Sequence, residues 1–160
     1  MSSQRTKIMV GAAVAVAGIW GLSVALANSM VPDRNPPERY NGPIANAKLD
    51  AVLQRACFDC HSHETKWPWY TNLPVVSVLI AHDVGEGREK LNFSLWGAMS
   101  AEKRAKALHE SGEEVSEGEM PMAIYLPLHP EAKLTDAEKA MFAALAENKP
   151  STVEPGTEGQ

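Results

Sequence analysis

Cysteine is nearly absent. Only Cys57 and Cys60 occur in 160 residues, and one pair three positions apart cannot build the multi-bridge scaffold of a small disulfide-rich domain. The pair therefore needs a local explanation. Aromatic residues are scarce too, at 6%, yet three of the four tryptophans fall between Trp67 and Trp96, which points to a local apolar site. Acid is missing from residues 1–30, where Arg5 and Lys7 are the only charges. The rest of the chain is correspondingly more acidic than the overall net charge of −5. That argues against nucleic acid as a partner. The acidity serves solubility first, and it would also suit docking to a basic patch on a partner protein.

Charge is wholly lacking from Ile8 to Ala27, a run of twenty residues. As a helix this run spans about 30 Å, the thickness of a bilayer's hydrocarbon core. Arg5 and Lys7 just before it keep the N-terminus cytoplasmic by the positive-inside rule and export the chain beyond the run. Ala25-Leu26-Ala27 also fits the small-x-small pattern of a signal-peptide cleavage site. The run exceeds the usual apolar core of such peptides, about 7–15 residues, so residues 1–30 are read as an uncleaved anchor. Both readings export the remainder. Gly11, Ala15, Gly18 and Ser23 would admit a partner helix, but they serve equally as filler in a lone one.

Pro32, Pro36, Pro37 and Pro43 exclude helix from residues 31–44, which read as a semi-rigid spacer. Residues 149–160 read as a disordered tail. Between them, residues 45–148 show helical periodicity and no strand pattern. A first helix over Ala45–Ala56 carries Leu49, Val52 and Leu53 on one face. A second, over Leu73–Lys90, has Asn72 as cap, Pro74 in its first turn, and a stripe of Val75, Val76, Leu79, Ile80 and Val84. A third starts at Ser100, runs to about Ser111 and buries Ala101, Ala105 and Leu108. A fourth opens with the capping box Thr135-Asp136-Ala137-Glu138 and faces inward through Ala140, Met141, Ala144 and Leu145. The fold class is all-α. Four helices joined by long loops make a poor core by themselves, and a large buried apolar ligand would make up the deficit.

Cys57-Phe58-Asp59-Cys60-His61 has the Cys-x-x-Cys-His spacing of c-type haem attachment. The spacing has a chemical reason: two thiols add across the two vinyl groups of the porphyrin, and the next residue supplies an imidazole to the iron. A redox-active dithiol would want a βαβ context, which is missing. A zinc site would need Cys57, Cys60, His61 and His63 to converge from within one short segment, which is strained. For the second axial position the candidates are Met120, Met122, His63, His82, His109 and His129. Met120 is preferred: it lies on a loop, with Gly118 allowing close approach and Pro121 stiffening the backbone. Its commoner role would be gap-filling in a core. Trp67, Trp69 and Tyr70 are expected to turn their rings inward, against the porphyrin or into ordinary core. Arg88 and Lys90 are candidate propionate partners or solvated charges.

These segments together resemble a known family. Cys57 to Ser62, Glu64 to Tyr70, Leu91-Asn92-Phe93-Ser94 with Trp96, Gly118-Glu119-Met120-Pro121 with Tyr125, and His129-Pro130-Glu131-Ala132 with Leu134 are similar to the bacterial haem-binding domain family of cytochrome-c type. The resemblance covers roughly residues 32–146. It implies a small cytochrome-c-like helical domain around one covalent haem c, preceded by a single N-terminal transmembrane helix. It implies Cys57 and Cys60 as thioether sites, His61 as proximal ligand and Met120 as distal ligand. One departure is Met122, where relatives often carry Pro; it sets a second thioether two residues from Met120. The expected role is one-electron transfer from the outer face of the cytoplasmic membrane, with redox proteins or a membrane respiratory complex as partners and no catalytic residue. The alternative is a haem-based sensor whose distal ligand exchanges.

Overall fold

Every regular element is helical among residues 2–148, which a computed structural model of the chain describes. The six α-helices are α1 (Ser2–Met30), α2 (Ala47–Ala56), α3 (Phe58–His61), α4 (Val76–Lys90), α5 (Ala101–Glu117) and α6 (Asp136–Glu147), with 3₁₀ turns at Trp69–Asn72, Phe93–Ala98 and Pro130–Ala132. The expected tail, 149–160, lies outside the described residues. The chain divides into two compact units. One comprises the chain to Arg39 together with Phe58–Ser94; the other comprises Tyr40–Cys57 and the described chain from Leu95 onward.

In the first unit α1 is a single helix of 29 residues, long and apolar enough to cross a membrane. Most of its length stands exposed, as Ile8, Val14, Ile19 and Leu22 do. Gly11, Gly18 and Gly21 face open space. Its last turns are different: Ser23 is buried, and α1 packs there against α4. Trp20 Nε1 donates to the Asn72 carbonyl at 2.8 Å, and Val75 N–H donates to Ser23 Oγ at 3.3 Å.

Helix α4 corrects the expected stripe. Its buried side is made of small residues and one valine, Ser77, Ala81, Val84 and Gly87. Val75 and Leu79 are exposed. The helix begins at Val76 and not at Leu73, because a γ-turn interrupts the chain: Val76 N–H donates to the Pro74 carbonyl at 2.8 Å, and Val75 takes φ +67°. A β-branched residue is strained in that region. The proline-rich stretch contains no helix, as its prolines require, and it is tied down by side-chain contacts. In the first unit Val31 is buried, Arg34 stacks over the Trp67 ring at 4.2 Å, and Asn35 Nδ2 donates to the Thr65 carbonyl at 3.0 Å.

In the second unit α2 has its expected inward face, with Leu49, Val52 and Leu53 buried. Asn46 caps it through the Lys48 and Leu49 amides. Asp50 is buried as well, because it ties down the preceding segment: its carboxylate accepts from the Ile44 and Ala45 amides and from Tyr40 Oη at 2.8 Å. Burial, followed by the Asp50 hydrogen bond and charge, pushes the Tyr40 phenol up to about 12.

Helices α5 and α6 form the main packed pair of the second unit. Both inward faces differ from expectation. Ala101 and Ala105 are exposed, while Gly112 and Val115 are buried; α5 also runs past Ser111 to Glu117. On α6 Ala140 and Ala144 are exposed, and the buried centre is Phe142. The reason is Gly112. A Cβ there would stand 2.5 Å from both the Phe142 carbonyl and the Ala146 amide nitrogen. Only glycine admits this approach, and it rotates both helices toward that contact. The Thr135–Glu138 capping box is present. Glu138 Oε1 also pairs with Arg55 at 2.6 Å, and Arg55 reaches the Glu131 carbonyl.

Candidate functional site

The site is built from one short turn. Helix α2 ends with Cys57, whose N–H bonds back to the Leu53 carbonyl at 2.9 Å. The next four residues make α3, a single turn carrying Cys60 and His61. In the first unit this turn is held almost entirely by polar contacts. Ser62 Oγ donates to the Phe58 carbonyl at 2.8 Å. Thr65 Oγ1 donates to the Asp59 carbonyl at 2.7 Å, and the Lys66 amide donates to Asp59 Oδ1 at 2.9 Å. Ser62 is fully buried, and its carbonyl accepts from Arg88 Nε at 2.8 Å. Phe58 and Phe93, both buried, stack at 5.2 Å beside the turn.

The His61 ring has a defined orientation. Its Nδ1 lies 3.1 Å from the Leu91 carbonyl oxygen. A carbonyl only accepts, so Nδ1 carries the proton and Nε2 keeps the lone pair. That is the tautomer a metal-binding imidazole needs, and this kind of carbonyl partner fixes ring direction at metal sites. Leu91 follows directly on α4, so the helix that packs on α3 also aims its histidine.

Helix α4 comes so close to α3 because of Gly87: a Cβ there would stand 2.8 Å from the Cys60 carbonyl oxygen. Glycine in a helix is unfavourable by propensity alone; here its signal is close approach. The Cys60 thiol is correspondingly enclosed. Burial, followed by the charges of Asp59 and Asp83, pushes it up to about 11. Neither cysteine is in a disulfide. A neutral, half-buried thiol is the opposite of what dithiol exchange requires. The zinc reading also fails on geometry: among the described residues no three His, Cys, Asp or Glu side chains gather to hold a metal ion.

His63 is turned to other use. Asn92 Oδ1 accepts from the Ser94 amide at 3.0 Å, which directs Asn92 Nδ2 to His63 Nε2 at 2.7 Å. His63 Nδ1 lies 3.3 Å from Glu38 Oε2, at ion-pair distance but out of hydrogen-bond alignment. Ser94 Oγ receives the His63 amide at 2.9 Å. Sequence reasoning missed Asn92 and Ser94 in this role, and Leu91 and Gly87 in theirs, because each acts through backbone or local amides and bears no recognisable chemistry of its own.

The aromatic run divides. Trp67 is half-buried, under the Arg34 guanidinium, with Nε1 3.3 Å from the Arg34 carbonyl. Tyr70 is half-buried. Trp69 is 76% exposed and meets Tyr70 edge-on at 5.9 Å. Its expected inward position is therefore corrected; it opens a 3₁₀ turn whose geometry sends it outward. Arg88 is a clamp within the first unit, donating to the Ser62 and Arg34 carbonyls and to Thr65 Oγ1, while Lys90 is exposed. A pocket in this unit is lined by Val24, Val31, Arg34, Trp67, Ser77 and Ala81 among others; Cys57, Cys60 and His61 do not line it.

Met120 belongs to the second unit and is half-buried, as is Met122. Gly118, at φ +83°, ends α5, and the Glu119 and Met120 amides both return to the Glu114 carbonyl. The Met120–Pro121 peptide is cis. The other imidazoles have partners near by. His82 lies against Asp83 and Glu86, and His109 against Glu113 and the Leu145 carbonyl. His129 stacks on Tyr125 at 3.9 Å and meets Glu131.

An all-helical chain with an oriented imidazole directly after two unbridged cysteines has the makings of a haem protein. Comparison with known families agrees: the model described as a haem-binding domain matches residues 23–148, and the chain belongs to that family. Searches of curated proteins and of solved structures return no match.

Proposed function

We propose that the chain is a membrane-anchored, monohaem c-type cytochrome that carries single electrons on the periplasmic side of the cytoplasmic membrane. The observation that carries this reading is the His61 imidazole, oriented through Nδ1 by the Leu91 carbonyl and placed directly after Cys57 and Cys60. The residues fit the group. Cys57 and Cys60 would hold haem c through thioethers, and His61 Nε2 would be the proximal iron ligand. Met120 would be the distal ligand in this reading, on the loop that follows Gly118 and with Pro121 beside it. Trp67 and Tyr70, half-buried, are the aromatic residues assigned to the haem surround. Bound there, the haem supplies a one-electron iron couple, whose potential a methionine ligand raises.

The chain's own contribution is positioning. Leu91 keeps the His61 ring from rotating, Gly87 sets α4 against the attachment turn, and Phe58 with Phe93 keeps water from its apolar side. No general base or nucleophile enters the proposal. The domain plan comes from the same reading: residues 1–30 anchor, 31–44 connect, 45–148 bind haem. Partners would be redox proteins or a membrane respiratory complex.

The test is spectroscopic. Pigment that stays with the protein in acidic acetone and shows the pyridine haemochrome of two saturated vinyl groups supports covalent haem c; colourless or extractable material overturns it. A weak far-red ferric band that disappears in Met120→Ala supports sulfur ligation. Rapid carbon monoxide binding by the reduced wild-type protein would favour the sensor alternative.

A further inference from the structure

The first unit carries a second feature, an exposed apolar surface. Trp67 to Ala81 is fifteen residues without a charge, on a surface segment. Within it Trp69 is 76% exposed, Val75 69%, Leu79 47% and Leu73 41%. Clustered exposed apolar side chains of this size mark a surface that meets another apolar phase. Trp69, the exposed aromatic residue among them, is of a type that collects where lipid meets water.

The position of this segment along α1 decides what that phase is. The Asn72 carbonyl accepts from Trp20 Nε1, and the Val75 amide donates to Ser23 Oγ. Both α1 residues lie inside the charge-free run Ile8–Ala27, about 10 Å and 6 Å short of its end. Were the bilayer to stop below Trp20, only Ile8–Ile19 would cross it, about 18 Å against the 30 Å required. Lipid therefore reaches past Trp20, and the segment bonded to Trp20 and Ser23 is brought into the interface with it.

We propose that the first unit sits directly on a phospholipid bilayer, with Trp69, Leu73, Val75 and Leu79 inserted among the lipids beside α1. This rests on the anchor reading above and deepens it. Helix α4 then rises out of the interface alongside α1, since Val75 lies by Ser23 and Gly85 lies by Met30. One half-turn beyond Gly85, Gly87 holds the Cys60 turn. The anchor, α4 and the attachment turn thus form one post that fixes the height of His61 above the lipid, where a flexible tether would not. A membrane-embedded redox partner would meet it at a constant distance. The strained backbone of Val75 has its use here, since the turn pushes an apolar side chain outward beside Ser23.

The full-length haem-loaded chain is reconstituted in phosphatidylcholine vesicles doped with a diazirine-tagged acyl phospholipid, illuminated and digested with trypsin. Cleavage after Lys7, Arg34, Lys66 and Arg88 separates residues 8–34 from residues 67–88. Lipid adducts on both peptides are expected. In the Trp69→Ser, Leu73→Ser, Val75→Ser triple variant, most adducts on 67–88 are expected to be lost while those on 8–34 remain; its haem absorbance reports that the unit still folds. Adducts on 8–34 with none on wild-type 67–88 would overturn the seating and leave the anchor standing. Adducts on 67–88 that survive the triple substitution would also overturn it, as the side chains named would not be the ones inserted. A missing or unlabelled 8–34 peptide would remove the anchor reading, and the seating with it.

Discussion

Gly87 and Gly112 make the same kind of contact in different company. Each lies inside a helix, and at each a Cβ would collide with neighbouring backbone. At Gly87 that backbone is the Cys60 carbonyl, in a turn knitted by side-chain hydrogen bonds from Ser62, Thr65 and Arg88. At Gly112 it is the spine of α6, in a pair centred on the buried Phe142. The first unit applies close approach to setting the turn that carries His61 and the second to filling a core. A polar, backbone-directed network fixes direction at modest net energy, whereas apolar packing supplies energy with less demand on angle.

Substitutions at these places separate the two roles. The largest effect is expected from Cys57→Ala with Cys60→Ala: complete loss of acid-acetone-resistant pigment, read by haem-stained gel and mass spectrometry. Phe142→Ala should cost about 4 kcal/mol, as large-to-small changes at buried aromatics do, seen as a lower Tm. Gly112→Ala should cost about 3 kcal/mol by overpacking, while any folded fraction keeps its thioether-bound haem. Gly87→Ala should cost less, about 2 kcal/mol, but should also lower the haem-to-protein ratio. Equal haem losses from the two glycine variants would erase the distinction between the units.

The smallest expected effect concerns pH. The Thr135 amide, then the Thr135 hydroxyl and Arg55, hold the Glu138 carboxyl below its ordinary value. A carboxylate with a depressed folded pKa stabilises the fold above its unfolded pKa, about 4.3 for glutamate. That contribution is lost as pH falls through the folded value. Wild-type Tm should therefore fall on acidification below about pH 4.3, and Glu138→Gln should lower Tm at neutral pH and flatten that limb. The group lies half-buried at the surface, where solvent screens it, so the change should be slight.

Much of this was legible in advance where the determinants are local. A charge-free run of membrane length, a capping box and an apolar face on α2 depend on neighbours a few residues away, and each is present as expected. On α4, α5 and α6 the inward faces differ from expectation, with Val84 kept inside, because hydrophobic periodicity assumes that the largest apolar residues face in. Here α4 turns Ser77, Ala81 and Gly87 inward and leaves Leu79 outside, and Gly112 takes the centre of α5's contact face. Small residues decide helix contacts by what they permit, and that shows only when the opposing backbone is in place.

The sequence by itself determined the chemistry: thiols at Cys57 and Cys60, an imidazole at His61, and an apolar helix before them, since spacing along the chain suffices for each. Tertiary structure alone decided the His61 tautomer, the enclosure of Cys60 and the outward turn of Trp69. These depend on the Leu91 carbonyl, on Gly87 and on the course of the chain beside α1, whose partners lie tens of residues apart and meet only after folding.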